Sequence, residues 1–213
     1  MCWVLDFVFW TLVHYLTSML KIGLTGGIGS GKTIIAKMFE TLGIPVYYAD
    51  EAAKRLMNED AALKEKIIAS FGKESYVGGK LNRSYISAIV FADAEKLGLL
   101  NSLVHPVTIK DANEWMRQQT GPYAIKEAAL TFESGSNKEL NKIIGVYAPA
   151  PLRILRVMQR DHLDRDQVLS RMNRQMNEEE KMRLCDYVIT NDEQSMVIPQ
   201  VLELHKKFLV LSS

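Results

Sequence analysis

Lys21-Ile22-Gly23-Leu24-Thr25-Gly26-Gly27-Ile28-Gly29-Ser30-Gly31-Lys32-Thr33 is the stretch on which the fold turns. Its first five residues form an apolar run too short for a helix and broken at once by glycines, which reads as a buried strand. From Thr33 to Leu42, the residues Ile34, Ile35, Met38, Phe39 and Leu42 recur at helical spacing, and Gly43 then stops the helix. Between strand and helix, Gly26 and Gly31-Lys32-Thr33 satisfy G-x-x-x-x-G-K-[ST]. Glycines at 26, 27, 29 and 31 let the backbone turn successive amides inward around phosphate oxygens. Lys32 is placed to reach the β- and γ-phosphates, the Thr33 hydroxyl to ligate Mg²⁺, and the helix to present its positive end to the same anion. Gly26, Gly27, Ile28, Gly29, Ser30, Gly31, Lys32 and Thr33 are therefore the expected nucleotide-phosphate site.

Working outward, Val46-Tyr47-Tyr48-Ala49 reads as a second short strand ending at Asp50. Residues 51–119 look helical in several pieces, with the turn-rich Gly72 to Lys80 between them. Pro106 has no amide proton and restricts His105, so two helices are expected to meet at His105-Pro106. Further strands are expected at Tyr123 to Ala129, Lys142 to Ala148 and Asp186 to Thr190, with helices at Leu152 to Gln159 and Met196 to Leu211. Short buried strands alternating with helices imply an α/β fold with a parallel sheet covered on both faces. Ligands bind such folds at the carboxyl ends of the strands, the edge where Gly26–Thr33 and Asp50 are both expected.

The 213 residues suit one domain with helical inserts. Net charge is +1, from 26 basic against 25 acidic residues, which gives no electrostatic reason to expect nucleic acid as a partner. Cys2 and Cys185 form neither a disulfide framework nor a zinc site, so a reducing, cytoplasmic setting is the plain reading. Cys185 is expected to be a small buried side chain. Residues 1–18 are apolar and aromatic, without Lys or Arg, and resemble neither a signal peptide nor a comfortable membrane span. They are read as an N-terminal extension from an upstream start, with Met19 opening the domain; a weak membrane-associating segment is the alternative. No stable membrane association is expected. The sequence is silent on oligomeric state.

The loop alone does not choose a reaction. No Asn-Lys-x-Asp guanine motif occurs, and no strand ends in adjacent acids as in typical motor ATPases. The size, a lone acid after the second strand and seven arginines between 153 and 183 fit a metabolite kinase better. Leu24 to Thr33 then resembles the opening motif of the dephospho-coenzyme A kinases, and Tyr48-Ala49-Asp50 their Asp-Ala-Asp element. His105-Pro106, Leu130-Thr131-Phe132-Glu133-Ser134-Gly135 and Arg156-Val157-Met158-Gln159-Arg160-Asp161 resemble further elements of that family. Arg171, Gln175, Lys181 and Asp186-Tyr187-Val188-Ile189-Thr190-Asn191 follow in its order. The resemblance spans residues 19 to about 211. It implies ATP-dependent phosphorylation of the ribose 3′-hydroxyl of dephospho-coenzyme A, with ATP and Mg²⁺ required. It also implies a P-loop, nucleoside-kinase-like three-layer core with a five-stranded parallel sheet. A helical coenzyme A-binding insert at about 51–119 and a helical lid at about 153–183 complete the expected domain over 19–213.

Three departures stand out: Tyr48 replaces the first Asp of Asp-Ala-Asp, Ala129 and Thr131 replace Pro and Leu, and Arg153 stands where the family often has Gln. Asp50 has two readings from position, a base that takes or orients a hydroxyl proton and an N-cap on the following helix; the resemblance favours the base. Arg156 and Arg160, four apart on one helical face, are the expected cations on the transferring phosphoryl group, against the alternative of a solvated face. The resemblance puts His105 in the substrate pocket, where position alone reads it as a packing residue. Glu133 either holds a metal-bound water or caps its loop, and Met158, Met172, Met176 and Met182 read as lid packing.

Overall fold

The computed structural model describes residues 19–212, and the readings made for residues 1–18 lie outside them. In chain order the elements are β1 (Leu20–Thr25), α1 (Lys32–Thr41), β2 (Val46–Tyr48), α2 (Ala49–Glu59), α3 (Ala61–Phe71), β3 (Tyr76–Val77), β4 (Lys80–Leu81), α4 (Arg83–Ala92) and α5 (Ala94–Arg117). They continue as β5 (Tyr123–Glu127), β6 (Lys142–Tyr147), α6 (Ala150–Asp161), α7 (Arg165–Met172), α8 (Glu178–Arg183), β7 (Tyr187–Thr190) and α9 (Val197–Leu211). A five-stranded sheet runs in the order β2-β5-β1-β6-β7, and β3 with β4 forms a separate two-stranded ribbon. The described residues fall into two compact units, 19–46 with 118–212, and Tyr47–Arg117. Among the described residues, no helix is long and apolar enough to cross a membrane.

In the first unit β1 is the central strand, parallel to β5 on one side and β6 on the other. The register sets Leu20 beside Tyr123, Ile22 beside Ile125, and Leu24 beside both Glu127 and Ile144. Side chains alternate across a strand, so Ile22, Leu24, Tyr123, Ile125 and Ile144 share one face. The Tyr123 ring on that face meets Phe39 of α1 and Phe208 of α9 edge-on, at 6.4 and 5.3 Å between centroids. The opposite face carries Gly145, where a side chain would collide with Met182 of α8 and with Cys185. Helices therefore cover both faces, as an all-parallel sheet requires. Cys185 is partly buried, and burial pushes its thiol up to about 12, in line with a packing role.

Lys126 is the oddity of this core. It lies on β5 directly beside Gly23 of β1, and only 4% of it is exposed. Burial pushes its ammonium down to about 8, with Glu139 pulling the other way. Between that value and its ordinary 10.5, the unfolded chain holds a proton that the fold has released, so stability rises with pH across this window. Below about 8 the charge is present in both states, and the full cost of burying it falls on the fold. Lys126→Met is expected to stabilise the protein by about 1–3 kcal/mol at pH 7. In urea titrations that gain should shrink as the pH approaches 10; an equal gain at both pH values would refute the account.

The second unit has its own core of Leu56, Leu63, Ile67, Phe71, Ile86, Val90 and Val104, drawn from α2 to α5. Asp60 caps α3 through the Leu63 amide at 2.7 Å, and Asn82 caps α4 through Tyr85 at 3.2 Å. Gly78 and Gly79, both at positive φ, join β3 to β4 as a two-residue hairpin, more ordered than the turn-rich stretch read from the sequence. The expected helix boundary at His105-Pro106 is not there. Pro106 lies inside the continuous helix α5. Val104, Thr108, Ala112 and Met116, four apart, form one buried stripe running past the proline. Packing along that stripe, together with the Thr108 hydroxyl bond to the Val104 carbonyl at 3.0 Å, outweighs an interior proline's cost of about 3 kcal/mol.

Candidate active site

The glycine loop between β1 and α1 stands at the carboxyl end of the central strand. Gly31 takes the left-handed conformation, φ +94°, as the residue before α1, and Lys32 opens the helix. The Lys32 stem is 9% exposed, and its ammonium donates to the Gly26 carbonyl at 2.9 Å and the Gly27 carbonyl at 3.3 Å. These bonds fold the lysine back along the loop, turning those two carbonyls toward a cation and leaving the amides for anions. Thr33 is exposed in the first helical turn, where its hydroxyl is open to a ligand. Ser30 is buried, and its hydroxyl has no partner among the described residues.

Side chains from the segment after α7 reach this loop. The Gly27 amide donates to Glu178 Oε1 at 3.3 Å and the Ile28 amide to Gln175 Oε1 at 2.9 Å. Arg153 of α6 pairs with Glu178 Oε2 at 3.1 Å, and a Cβ on Gly27 would run into both side chains. Asn191, just after β7, donates to the Ser30 carbonyl at 2.8 Å. The loop thus meets α1, α6, α8 and the end of β7.

Lys181 of α8 fixes that arrangement from below. It is completely buried and donates to the Ala129 carbonyl at 3.0 Å and to Glu133 Oε1 at 2.9 Å. Glu133 also accepts from the Met176 amide at 2.9 Å. Burial alone would raise the Glu133 carboxyl, but the Met176 amide and the Lys181 ammonium hold it below its ordinary 4.5. A carboxyl depressed in this way contributes stability above its ordinary value and loses it as the pH falls through the lower folded value. Lys181→Met should cost about 3–5 kcal/mol, because it strands Glu133 without its cation. A urea midpoint unchanged from the parent would overturn that reading of the pair.

The other expected residues are distributed more widely. Arg156 donates to the Asn191 carbonyl at 3.3 Å and pairs with Glu193 at 3.1 Å. Arg160, with its side chain 64% exposed, pairs with Asp161 at 2.8 Å, and Arg171 joins the same carboxylate at 3.2 Å. Asp161 is lowered by its hydrogen bond from Arg160. Arg153 is the arginine of α6 that shares its buried stripe with Val157 and rests on the loop. Asp50 and His105 belong to the second unit. Asp50 is exposed in the first turn of α2, where Tyr48 is the N-cap residue and no side-chain cap bond forms. The capping alternative for Asp50 therefore does not hold. His105 is half-buried within α5.

The sequence marks Arg153 only as a departure from the family's pattern and assigns it no role. One usable signal was present: Arg153 sits four residues before Val157, on the buried phase of α6. Nothing in the linear pattern pairs Glu178 or Gln175 with amides near residue 27.

The family model described as Dephospho-CoA kinase matches residues 20–196. A dephospho-CoA kinase of Bacteroides fragilis is 36% identical over 186 residues, covering 87% of this chain and 91% of that protein. A solved crystal structure from Thermus thermophilus aligns with a TM-score of 0.77 at 33% identity, over 92% of this chain and 98% of that one. The dephospho-CoA kinase from Campylobacter jejuni aligns with a TM-score of 0.66 at 26% identity, over 91% and 98% of the two chains.

Proposed function

This chain belongs to the dephospho-CoA kinase family, and we propose from that premise how its own residues perform the reaction. The activity is ATP-dependent phosphorylation of dephospho-CoA, a step of coenzyme A biosynthesis. The observation that carries it is the loop Gly26–Thr33 between β1 and α1, folded around Lys32, in a chain of this family.

In our reading, the acceptor is the ribose 3′-hydroxyl. Asp50 takes its proton, or orients it, as the oxygen attacks the γ-phosphorus in line, and ADP leaves. Lys32 and the loop amides hold the β- and γ-phosphates. Arg156 and Arg160 stabilise the charge of the phosphoryl group in transfer, exchanging Glu193 and Asp161 for phosphate oxygens. His105 contributes to the dephospho-CoA pocket, the helical stretch 51–119 binds that substrate, and residues 153–183 act as the lid.

The metal is proposed as Mg²⁺. Among the described residues, no group of three or more His, Cys, Asp or Glu side chains stands ready to hold an ion. The exposed Thr33 hydroxyl fits the sparse protein ligation typical of Mg²⁺ in kinases, where phosphate oxygens and water complete the shell. Once bound, the ion neutralises charge across the phosphates. We propose a cytoplasmic setting, with both substrates as small molecules and no role for nucleic acid.

A coupled assay of ADP release tests this directly. Turnover is expected with dephospho-CoA, ATP and Mg²⁺, and none above background with nucleoside monophosphates or gluconate. Folded protein that binds ATP but turns over no dephospho-CoA would sink the proposal.

A further inference from the structure

We propose that Arg153 is a phosphate-gripping residue of this site, and that Glu178 and Gln175 occupy the place of nucleotide phosphate oxygens until ATP displaces them. The inference rests on ATP binding at this loop, and its test is chosen to be independent of turnover.

Four observations carry it. First, the amides of Gly27 and Ile28 are already engaged by side-chain oxygens, Glu178 Oε1 at 3.3 Å and Gln175 Oε1 at 2.9 Å. Inward-turned loop amides are built for anionic oxygens, and a carboxylate with an amide oxygen copies that demand. Second, the Arg153–Glu178 pair, with side chains only 7% and 10% exposed, lies directly against the loop, its guanidinium and carboxylate ends filling the space beside Gly27 where a Cβ would stand. Third, Arg153 Nε is buried with no partner among the described residues, so the guanidinium retains an unused donor. A carboxylate brings two oxygens, whereas a terminal phosphate brings three and more charge, enough to satisfy a guanidinium fork. Fourth, the contact is at Gly27, where the Lys32 ammonium is also docked. Lysine at this motif position reaches the β- and γ-phosphates, so Arg153 stands at the terminal-phosphate end of the loop.

The consequence is an exchange of partners. ATP puts phosphate oxygens on the Gly27 and Ile28 amides, Glu178 is released, and Arg153 passes from carboxylate to phosphate without leaving the loop. Apparent nucleotide affinity is then lowered by the fraction of molecules in which Glu178 holds the site. The segment carrying Gln175 and Glu178 is bounded by the buried Lys181 anchor, so the release is confined to residues near 173–180.

Calorimetric titration with ATP, without any acceptor, separates the possibilities. Glu178→Gln keeps the size of the side chain and an oxygen for the Gly27 amide but removes the charge that holds Arg153. It should bind ATP about 3- to 10-fold more tightly than the parent. AMP, which lacks the β- and γ-phosphates, should show no such gain. Arg153→Gln should weaken ATP binding at least about 10-fold, and Arg153→Lys should recover part of it. A purely structural pair predicts instead that Glu178→Gln binds ATP equally or more weakly; that result, or wild-type affinity in Arg153→Gln, would overturn the proposal. Should either variant fail to fold, hydrogen exchange on the unmodified chain decides. Saturating ATP should slow exchange at residues 26–33 and quicken it near 173–180, and slowing in both segments would refute the displacement. Normal ATP binding with these changes but no phosphorylation of dephospho-CoA would fault the assigned reaction and leave this inference standing.

Discussion

Asp50→Asn is expected to cut turnover by about 10²- to 10⁴-fold while leaving ATP affinity within about threefold. Asparagine keeps the size and one oxygen of the side chain but cannot accept a proton at neutral pH. Asp50 is exposed, stands in the first turn of α2, and caps nothing, so the substitution should leave the fold intact. The neighbouring element offers no substitute, because Tyr48 occupies the place where the family carries a second aspartate. Steady-state rates with dephospho-CoA, paired with calorimetry for ATP, measure both halves. Turnover within threefold of the parent would remove Asp50 from the chemistry, and lost ATP binding would make it a nucleotide ligand instead.

Lys32→Met should lower kcat/KM by about 10²- to 10³-fold, the usual size of losing one preorganised donor at a charged transition state. Here the lysine has an observed duty and a proposed one. It ties down the carbonyls of Gly26 and Gly27, and in the proposed reaction it supplies a cation to the phosphates. Methionine fills the buried stem but performs neither. The loss should therefore appear in ATP affinity as well as turnover, whereas the loss in Asp50→Asn is confined to turnover. A urea midpoint close to that of the parent would show that the damage lies in the site and not the fold. Unchanged ATP affinity in Lys32→Met would contradict the role given to it.

The glycine loop and the strand that ends at Asp50 were legible in the sequence because their signals are local. Strand, glycines, lysine and helix occupy consecutive positions, and Asp50 ends an apolar run whose length is that of a strand. The five strands of the sheet were legible for the same reason, each a short β-rich stretch between breakers. Pro106 shows where local reading fails: its own chemistry argues for a helix boundary, and only the stripe Val104, Thr108, Ala112 and Met116 shows that packing outweighs it. Arg153 and Glu178 were illegible for a related reason. Twenty-odd residues of chain separate them, a charge run is ordinarily a solvated face, and the Gly27 amide that Glu178 holds lies more than a hundred positions earlier. Lys181 was legible only as a position in the family's order; its burial against the Glu133 carboxylate and the Ala129 carbonyl, both about fifty residues earlier, leaves no local trace.

The central position of β1 has a consequence in time. On a ribosome the strand that feeds the phosphate loop is made early, yet its first partner, β5, begins only at Tyr123 and its second, β6, at Lys142. Tyr47–Arg117, emerging in between, can assemble its core from helices that follow one another closely. The two backbone edges of β1 must wait, unpaired, through about half of translation. Closing a sheet of such high contact order is slow, and the waiting strand is exposed to wrong partners. Nascent chains halted before β5 should therefore be the aggregation-prone species, and their rescue by chaperones should end once β6 has emerged.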